Sequence, residues 1–225
     1  MPRAVDPSDL PPLLPDAVLA RRAALPVKPD AVALVGEIVM LHPMDVAADA
    51  AALFAASSGA PYAGSAAYDA EALIWRWMAG GPFADAASLG AWLTGREQVP
   101  DTRAFTVRHR ASGLPIGAAS MIANQPAHLK IELGTIWYTP GAQGTGASRE
   151  VTELLLAHCF GLGYRRVEWK CDALNVRSRA AARSYGFTFE GIQEAHYINK
   201  GRNRDTAWFR MLAAEWDARP RATGS

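Results

Sequence analysis

Ile131-Glu132-Leu133-Gly134-Thr135-Ile136-Trp137-Tyr138-Thr139-Pro140-Gly141-Ala142-Gln143-Gly144-Thr145-Gly146-Ala147-Ser148 opens the stretch, ending at Gly163, around which the chain is organised. It divides into an apolar strand (Ile131 to Thr139), a Gly-rich turn and an amphipathic helix. Val151, Leu154, Leu155 and Leu162 share one helical face, Glu150 and Glu153 take polar positions, and Gly161 and Gly163 supply the stop. A Gly-rich strand-to-helix turn leaves several backbone N–H groups unpaired at the helix's positive end, which suits a phosphate or pyrophosphate. Two familiar phosphate loops do not fit. The Walker pattern needs Lys then Ser or Thr after its second Gly, where this chain has Ala147-Ser148. The dinucleotide pattern wants a third Gly near the start of a βαβ domain.

Composition narrows the class. With 225 residues, half of them apolar, one domain with a sizeable core is expected. A formal net charge of +1 gives no electrostatic footprint for nucleic acid or an acidic membrane surface. Two cysteines, Cys159 and Cys171, cannot make a structural zinc site, give no disulfide framework and suit buried thiols; no metal is expected. No apolar signal core or bilayer-length run is present, so a soluble, cytoplasmic protein with no membrane partner is expected.

Taken in order, residues 1–34 are rich in Pro, Asp and Arg and suggest an arm, extended and wrapping the domain or partly disordered; residues 35–214 form the domain, and 215–225 a tail without a core pattern. Glu37 to Leu41 reads as a strand, and Asp45 as the cap of an Ala-rich helix through Ser57. Helical patterns cover Tyr68 to Met78, with Trp75 and Trp77, and Ala84 to Arg96. Arg103 to His109 and Leu114 to Ala123 form a hairpin about Ala111-Ser112-Gly113. Beyond the central stretch, Arg165 to Cys171 alternates as a strand, Asn175 to Tyr185 is a short helix closed by Gly186, Phe187 to Gly191 and Glu194 to Ile198 are extended, and Asp205 to Leu212 is a last strand. The order is mixed α/β, not alternating.

That order from Gly36 to Leu212 resembles the GNAT acyltransferases, a mixed and mostly antiparallel sheet flanked by helices with a splayed central strand pair. Gln143-Gly144-Thr145-Gly146-Ala147-Ser148 is similar to their acyl-coenzyme A loop (Gln or Arg, two residues, Gly, one residue, Gly or Ala), departing at Ser148, which is small but neither Gly nor Ala. Asn175-Val176-Arg177-Ser178, Tyr185-Gly186-Phe187 and Lys200-Gly201-Arg202-Asn203-Arg204-Asp205 look most like the RimJ/RimL-type branch, whose named members acetylate N-terminal amines of ribosomal proteins. The resemblance implies transfer of an acetyl group from acetyl-CoA to a primary amine, on a protein N-terminus or a small molecule, by direct attack. Another donor such as succinyl-CoA stays open; a basic side chain placed to meet a distal carboxylate would favour it. A non-catalytic CoA-binding module stays open too, as does a homodimer.

The resemblance also distributes roles. Backbone groups of Gln143, Gly144, Thr145, Gly146, Ala147 and Ser148 would hold the pyrophosphate, and the backbone of Tyr138 the pantetheine arm. Asn175 and Ser178 match pantetheine positions, with helix capping as the local alternative for Asn175. Glu132, in an otherwise apolar strand, is the candidate base or else a solvent-facing strand residue. Many relatives place a Tyr acid five residues before the Phe of the Gly-Phe pair; Ala182 stands there, leaving Ser178 or water as proton donor, with Tyr185 a packing residue. Trp77, His196 and Tyr197 are acceptor-side candidates, each with a bland alternative in packing, a dimer contact or solvation. His158 reads as a core histidine, and Lys200 to Arg204 as a solvated turn or an anion contact.

Overall fold

Residues 10–219 are described in the structure, a computed structural model. Eight strands, β1 (Leu34–Val35), β2 (Val39–Pro43), β3 (Arg103–His109), β4 (Pro115–Gln125), β5 (Lys130–Tyr138), β6 (Arg166–Asp172), β7 (Thr188–Asn199) and β8 (Arg202–Leu212), form one sheet. Its order is β1-β2-β3-β4-β5-β6-β8-β7, and only the β5–β6 pair is parallel. The helices are α1 (Asp16–Ala24), α2 (Val46–Ser57), α3 (Ala70–Leu73), α4 (Ala86–Glu97), α5 (Ala147–Gly161), α6 (Val176–Ser184) and α7 (Ala213–Asp217).

Period-two alternation sends side chains to two cores. Phe105, Val107, Ile131, Leu133, Val167 and Phe209 pack with Val151, Leu155, Leu156 and Cys159 of α5. On the opposite face Ala104, Ala118 and Trp137 pack with Leu53 and Ala56 of α2 and with Leu89 and Leu93 of α4. Asp45 caps α2 by accepting from the N–H groups of Ala47 and Ala48, and Asp85 caps α4 in a reciprocal box with Ser88.

The centre of the sheet opens. Ser120 pairs with Gly134 but Ala118 pairs with Trp137, so β5 carries a bulge, and Thr135 in it has φ +51°. The parallel ladder to β6 stops at Leu133 and Trp169, while β6 stays paired with β8 as far as Asp172 and Thr206. Beyond Leu133, the edge of β5 is therefore unpaired toward β6, which is the expected splay.

Glu150, read only as a polar helix position, anchors α5. Its carboxylate accepts the backbone N–H groups of Glu37, Ile38 and Val39 at 2.6, 2.8 and 2.8 Å. Gly36 leaves the room for this, since a Cβ there would stand 2.4 Å from the Glu150 carboxyl carbon.

Four expectations need correction. The Tyr68 to Met78 helix breaks at Ile74 (φ −123°) into α3 and a 3₁₀ turn over Trp75–Trp77. The break lets Trp75 turn inward, where its Nε1 donates to the Ser57 carbonyl at 2.9 Å and its ring meets Phe83 and Trp92 edge-on. The N-terminal arm is not simply extended: α1 forms, Leu25 is buried, and Asn124 Nδ2 donates to the carbonyls of Pro26 and Val27. The part of the arm before residue 10 lies outside the described residues. The tail begins with α7, where Trp216 stacks on Phe160 with ring centroids 5.6 Å apart; residues 220–225 lie outside the described residues. Finally, the two extended pieces after Phe187 are one strand, β7, bulged near Gly191 and again between Gln193 and Tyr197. No helix among the described residues is long and apolar enough to cross a membrane.

Candidate functional site

Where β5 and β6 part, a cleft of about 1050 Å³ runs from the Gly-rich loop to the β7–β8 hairpin. At its loop end stand Gln143, Gly144, Ser148 and Tyr185; in the middle Tyr138, Cys171, Asn175 and Ser178; at the far end Glu132, Lys170, Trp77, Arg96, Tyr197 and Arg204. Residues named from distant parts of the sequence thus share one cavity.

The loop is held open by its own backbone. Gly144 (φ +78°) and Gly146 (φ +92°) are left-handed, and Gly146 sits at the N-cap of α5 with no side-chain cap. The N–H groups of Gly144, Thr145, Gly146, Ser148 and Arg149 meet no acceptor among the described residues, and nothing lies within 4 Å of a Cβ built on Gly144. Thr145 is drawn away, donating its hydroxyl to the Ala142 carbonyl at 2.8 Å. Thr145 and Ala147 line a separate cavity of about 420 Å³ with Ile38 and Tyr62, so only their backbones are available to the main cleft. Gln143 Nε2 donates to the Tyr138 carbonyl at 3.3 Å.

Tyr185 belongs to the site rather than only to the core. Its hydroxyl donates to Ser148 Oγ at 2.9 Å, joining the end of α6 to the first turn of α5. Burial raises the Tyr138 phenol well above its ordinary value, and its oxygen has no hydrogen-bond partner among the described residues, so that residue offers the cleft its backbone. Asn175 Oδ1 accepts the Ser178 N–H at 3.1 Å, which is the capping role. That bond leaves its amide nitrogen free. Ser178 Oγ accepts Trp169 Nε1–H at 3.0 Å, so its own proton remains available. Ala182 is fully buried and brings no hydroxyl.

Glu132 is not a solvated strand residue: it is 5% exposed. Lys170 Nζ lies 2.6 Å from Glu132 Oε2 and over the Trp208 ring, 4.2 Å from its centroid. Burial raises the Glu132 pKa and Lys170 opposes the rise. Oε1 has no hydrogen-bond donor among the described residues, and Gly134 beside it fits closely under Ile122, whose Cδ1 would stand 2.5 Å from a Cβ there.

Of the other candidates, Trp77 and Tyr197 line the cleft, while His196 is set back. Its ring lies against Tyr197 and Trp208, with centroid separations of 3.9 and 5.8 Å. Partial burial, then the positive charges of Lys170 and Arg204, lower its pKa. The Lys200 to Arg204 run is more than a solvated turn. Lys200 Nζ donates to the Trp75 carbonyl at 2.7 Å, tying the hairpin tip across to the 3₁₀ turn, and Arg204 faces the cleft.

Lys170 and Arg96 escaped the sequence reading of the site, Tyr185 was read as packing, and Arg204 entered only within the Lys200 to Arg204 run. Alternation placed Lys170 on the face opposite Trp169, but nothing in the linear order joins it to Glu132. Arg96 sits at the end of a helix whose tertiary placement decides everything about it.

The donor set fits a coenzyme pyrophosphate and an extended arm: orphaned N–H groups around two left-handed glycines, then an unpaired strand edge leading to a buried carboxylate. A family model described as "Acetyltransferase (GNAT) domain" matches residues 39–188. A probable GNAT-family acetyltransferase of Chromobacterium violaceum is similar over 85% of this chain and 91% of its own, at 37% identity and TM-score 0.77. A GCN5-related N-acetyltransferase of Brucella melitensis is similar over 85% and 83%, at 38% identity and TM-score 0.78. RimL, a ribosomal L7/L12 α-N-protein acetyltransferase, covers 80% of this chain and 94% of its own at 19% identity and TM-score 0.68, a likeness of fold alone. Among curated proteins none matches this sequence. With two thirds of its length matched by one model and its central strands splayed over a glycine-capped helix, the chain belongs to the GNAT acetyltransferase family.

Proposed function

We propose that this chain transfers an acyl group, acetyl in the first instance, from acyl-CoA to a primary amine by direct attack, as RimJ/RimL-type enzymes do. The observation that carries this is the continuity of one cleft, from the free N–H groups of the loop to Glu132 Oε1. Bound acyl-CoA supplies an activated thioester. The backbone from Gln143 to Ser148 binds the pyrophosphate, with Ser148 Oγ oriented by Tyr185. The unpaired edge of β5 from Gly134 to Tyr138 aligns the pantetheine amides as a strand would, assisted by the free amide nitrogen of Asn175.

Glu132 then has one oxygen bound to Lys170 and one turned to the acceptor side. Its raised pKa makes it a stronger base than an exposed carboxylate, and Oε1 takes the proton from the ammonium so that the neutral amine can attack. Ser178 donates its hydroxyl proton to the departing coenzyme sulfur and regains one, through water, from the attacking nitrogen, which sheds its second proton as the amide forms. Trp169 holds the Ser178 oxygen in place throughout. Trp77 and Tyr197 wall the acceptor side, and His196 supports Tyr197 from behind.

Calorimetric titration with acetyl-CoA, followed by free-thiol release in the presence of amines, tests the reading. Micromolar binding that is lost in Gly146→Val, with amine-dependent thiol release, is the expected result. Binding without turnover on any amine would leave a coenzyme-binding module instead.

A further inference from the structure

The acceptor end of the cleft carries more positive charge than the proposed chemistry uses. Arg76, Arg96, Lys170 and Arg204 line it, against Glu132 and Asp172. Lys170 is committed to Glu132. Arg96 and Arg204 make no ion pair among the described residues, although Arg103, Arg108, Arg149, Arg166 and Arg210 all do. Arg96 contacts neutral groups: its Nη2 donates to Thr135 Oγ1, within the β5 bulge, at 2.8 Å, and its guanidinium faces the Trp92 ring. Arg204 lies over the Tyr197 ring, 5.6 Å from its centroid, and its buried Nε has no acceptor among the described residues. Arg96 reaches Thr135, three residues along β5 from Glu132, and Arg204 lines the same cleft as both, so both heads face the reacting end. Half-buried guanidiniums without an anionic partner are costly in a folded protein, and their planar forks match a carboxylate.

We propose that Arg96 and Arg204 form a carboxylate-binding subsite beside Glu132, so that one of the two reactants, the amine or the acyl group, carries a carboxylate. This deepens the proposed acyl transfer and rests on it. An extended polyamine is disfavoured by the same charges, despite the aromatic walls of Trp77 and Tyr197. A carboxylate on the amine would be held while Glu132 takes the proton from its ammonium. A carboxylate on a succinyl-like acyl group would instead be held across the bulge from the thioester.

Two arms separate these sources. In the first, acetyl-CoA is offered with α- and ω-amino carboxylates and with their amides. In the second, succinyl-CoA and butyryl-CoA are compared with one neutral amine. In one arm the carboxylate member should be favoured in kcat/KM by about tenfold or more, the scale of a charge-assisted hydrogen bond. That ratio should fall about tenfold in Arg96→Gln and in Arg204→Gln, and be partly restored in Arg96→Lys, with near-ultraviolet circular dichroism confirming a native core. No preference in either arm, or a preference that survives both substitutions, overturns the subsite while leaving amine acylation intact. Should no pair turn over, the acyl-transfer reading fails. Binding of glutarate, followed by ligand-observed NMR, then judges the subsite alone: weakening in both Gln variants supports it, and no binding overturns it.

Discussion

Replacing Lys170 with Met tests the buried pair on which the proposed base depends. The two side chains are 14% and 7% exposed and 2.6 Å apart, so water contributes little to holding either charge. Removing one partner of such a pair costs about 3–5 kcal/mol. Because Glu132 Oε1 borders the cleft, the lower end applies, about 3 kcal/mol. In a chain of this size that lowers Tm by about 6–12 °C. The pH dependence gives the sharper test. Burial already holds the Glu132 pKa above its unfolded value, and losing Lys170 removes the main opposing influence. The native state then keeps a proton that the unfolded state releases, so stability falls as pH rises through the window between the two values. Urea denaturation should therefore show a small deficit at about pH 4.5, close to the ordinary Glu value, and the full deficit at about pH 8. Adding Glu132→Gln should recover stability to within about 1 kcal/mol of the native protein, since two neutral groups of similar shape replace two charges. Activity should not recover: the double variant should lose about 10²- to 10³-fold in kcat, with coenzyme affinity kept. A deficit independent of pH would refute the buried pair, and near-native turnover in the double variant would remove Glu132 as the base.

Gly144→Val and Gly146→Val should each weaken acetyl-CoA binding by calorimetry about tenfold or more, since a β-branched residue at φ +78° or +92° costs about 1–2 kcal/mol and crowds the anion cradle. Ser178→Ala leaves the Trp169 indole N–H without its acceptor, so it should lose about 1–3 kcal/mol by urea unfolding as well as slow turnover; a kinetic loss with no stability loss would mean that Trp169 finds another partner. Glu150→Ala strips three backbone N–H groups of their acceptor and should cost about 2–4 kcal/mol, while Glu150→Gln, with one carbonyl oxygen left, should cost less. Tyr185→Phe should reduce coenzyme affinity a few-fold without moving kcat, because the hydrogen bond of its hydroxyl among the described residues is to Ser148, at the loop end.

The elements that were legible in the sequence are those whose ends are marked locally. Asp45 caps its helix with its own side chain, Gly146 and Gly186 take left-handed conformations, and polar and apolar residues alternate along β6. What failed did so where a tertiary contact outweighed the local pattern. Tyr68 to Met78 has a helical run of apolar residues, yet the Trp75 indole gains a buried hydrogen bond to Ser57 and two aromatic neighbours only if the helix breaks at Ile74. Trp216 gave no period in a short tail, because its partner, Phe160, lies on a helix 56 residues earlier.

The site divides along the same line, for a physical reason. A phosphate is bound by backbone N–H groups, and the residues that expose a backbone are Gly and small side chains next to one another in sequence, so Gln143 to Ser148 is readable as a string. An acceptor site is built from side chains meeting across a gap. Glu132 and Lys170 are on parallel strands, Arg96 ends helix α4, and Arg204 lies near the start of β8, the second strand of the hairpin. Their meeting depends on the β5 bulge, which turns Thr135 toward Arg96, and on Lys200 fastening the hairpin to the 3₁₀ turn. On the proposed reading, acceptor choice depends on these two contacts between elements distant in sequence. Loosening one of them, for instance with Lys200→Ala, should alter which amine is used before it alters coenzyme affinity. Comparing KM for the amine with Kd for acetyl-CoA in that variant checks this, and a change in the coenzyme constant alone would contradict the division.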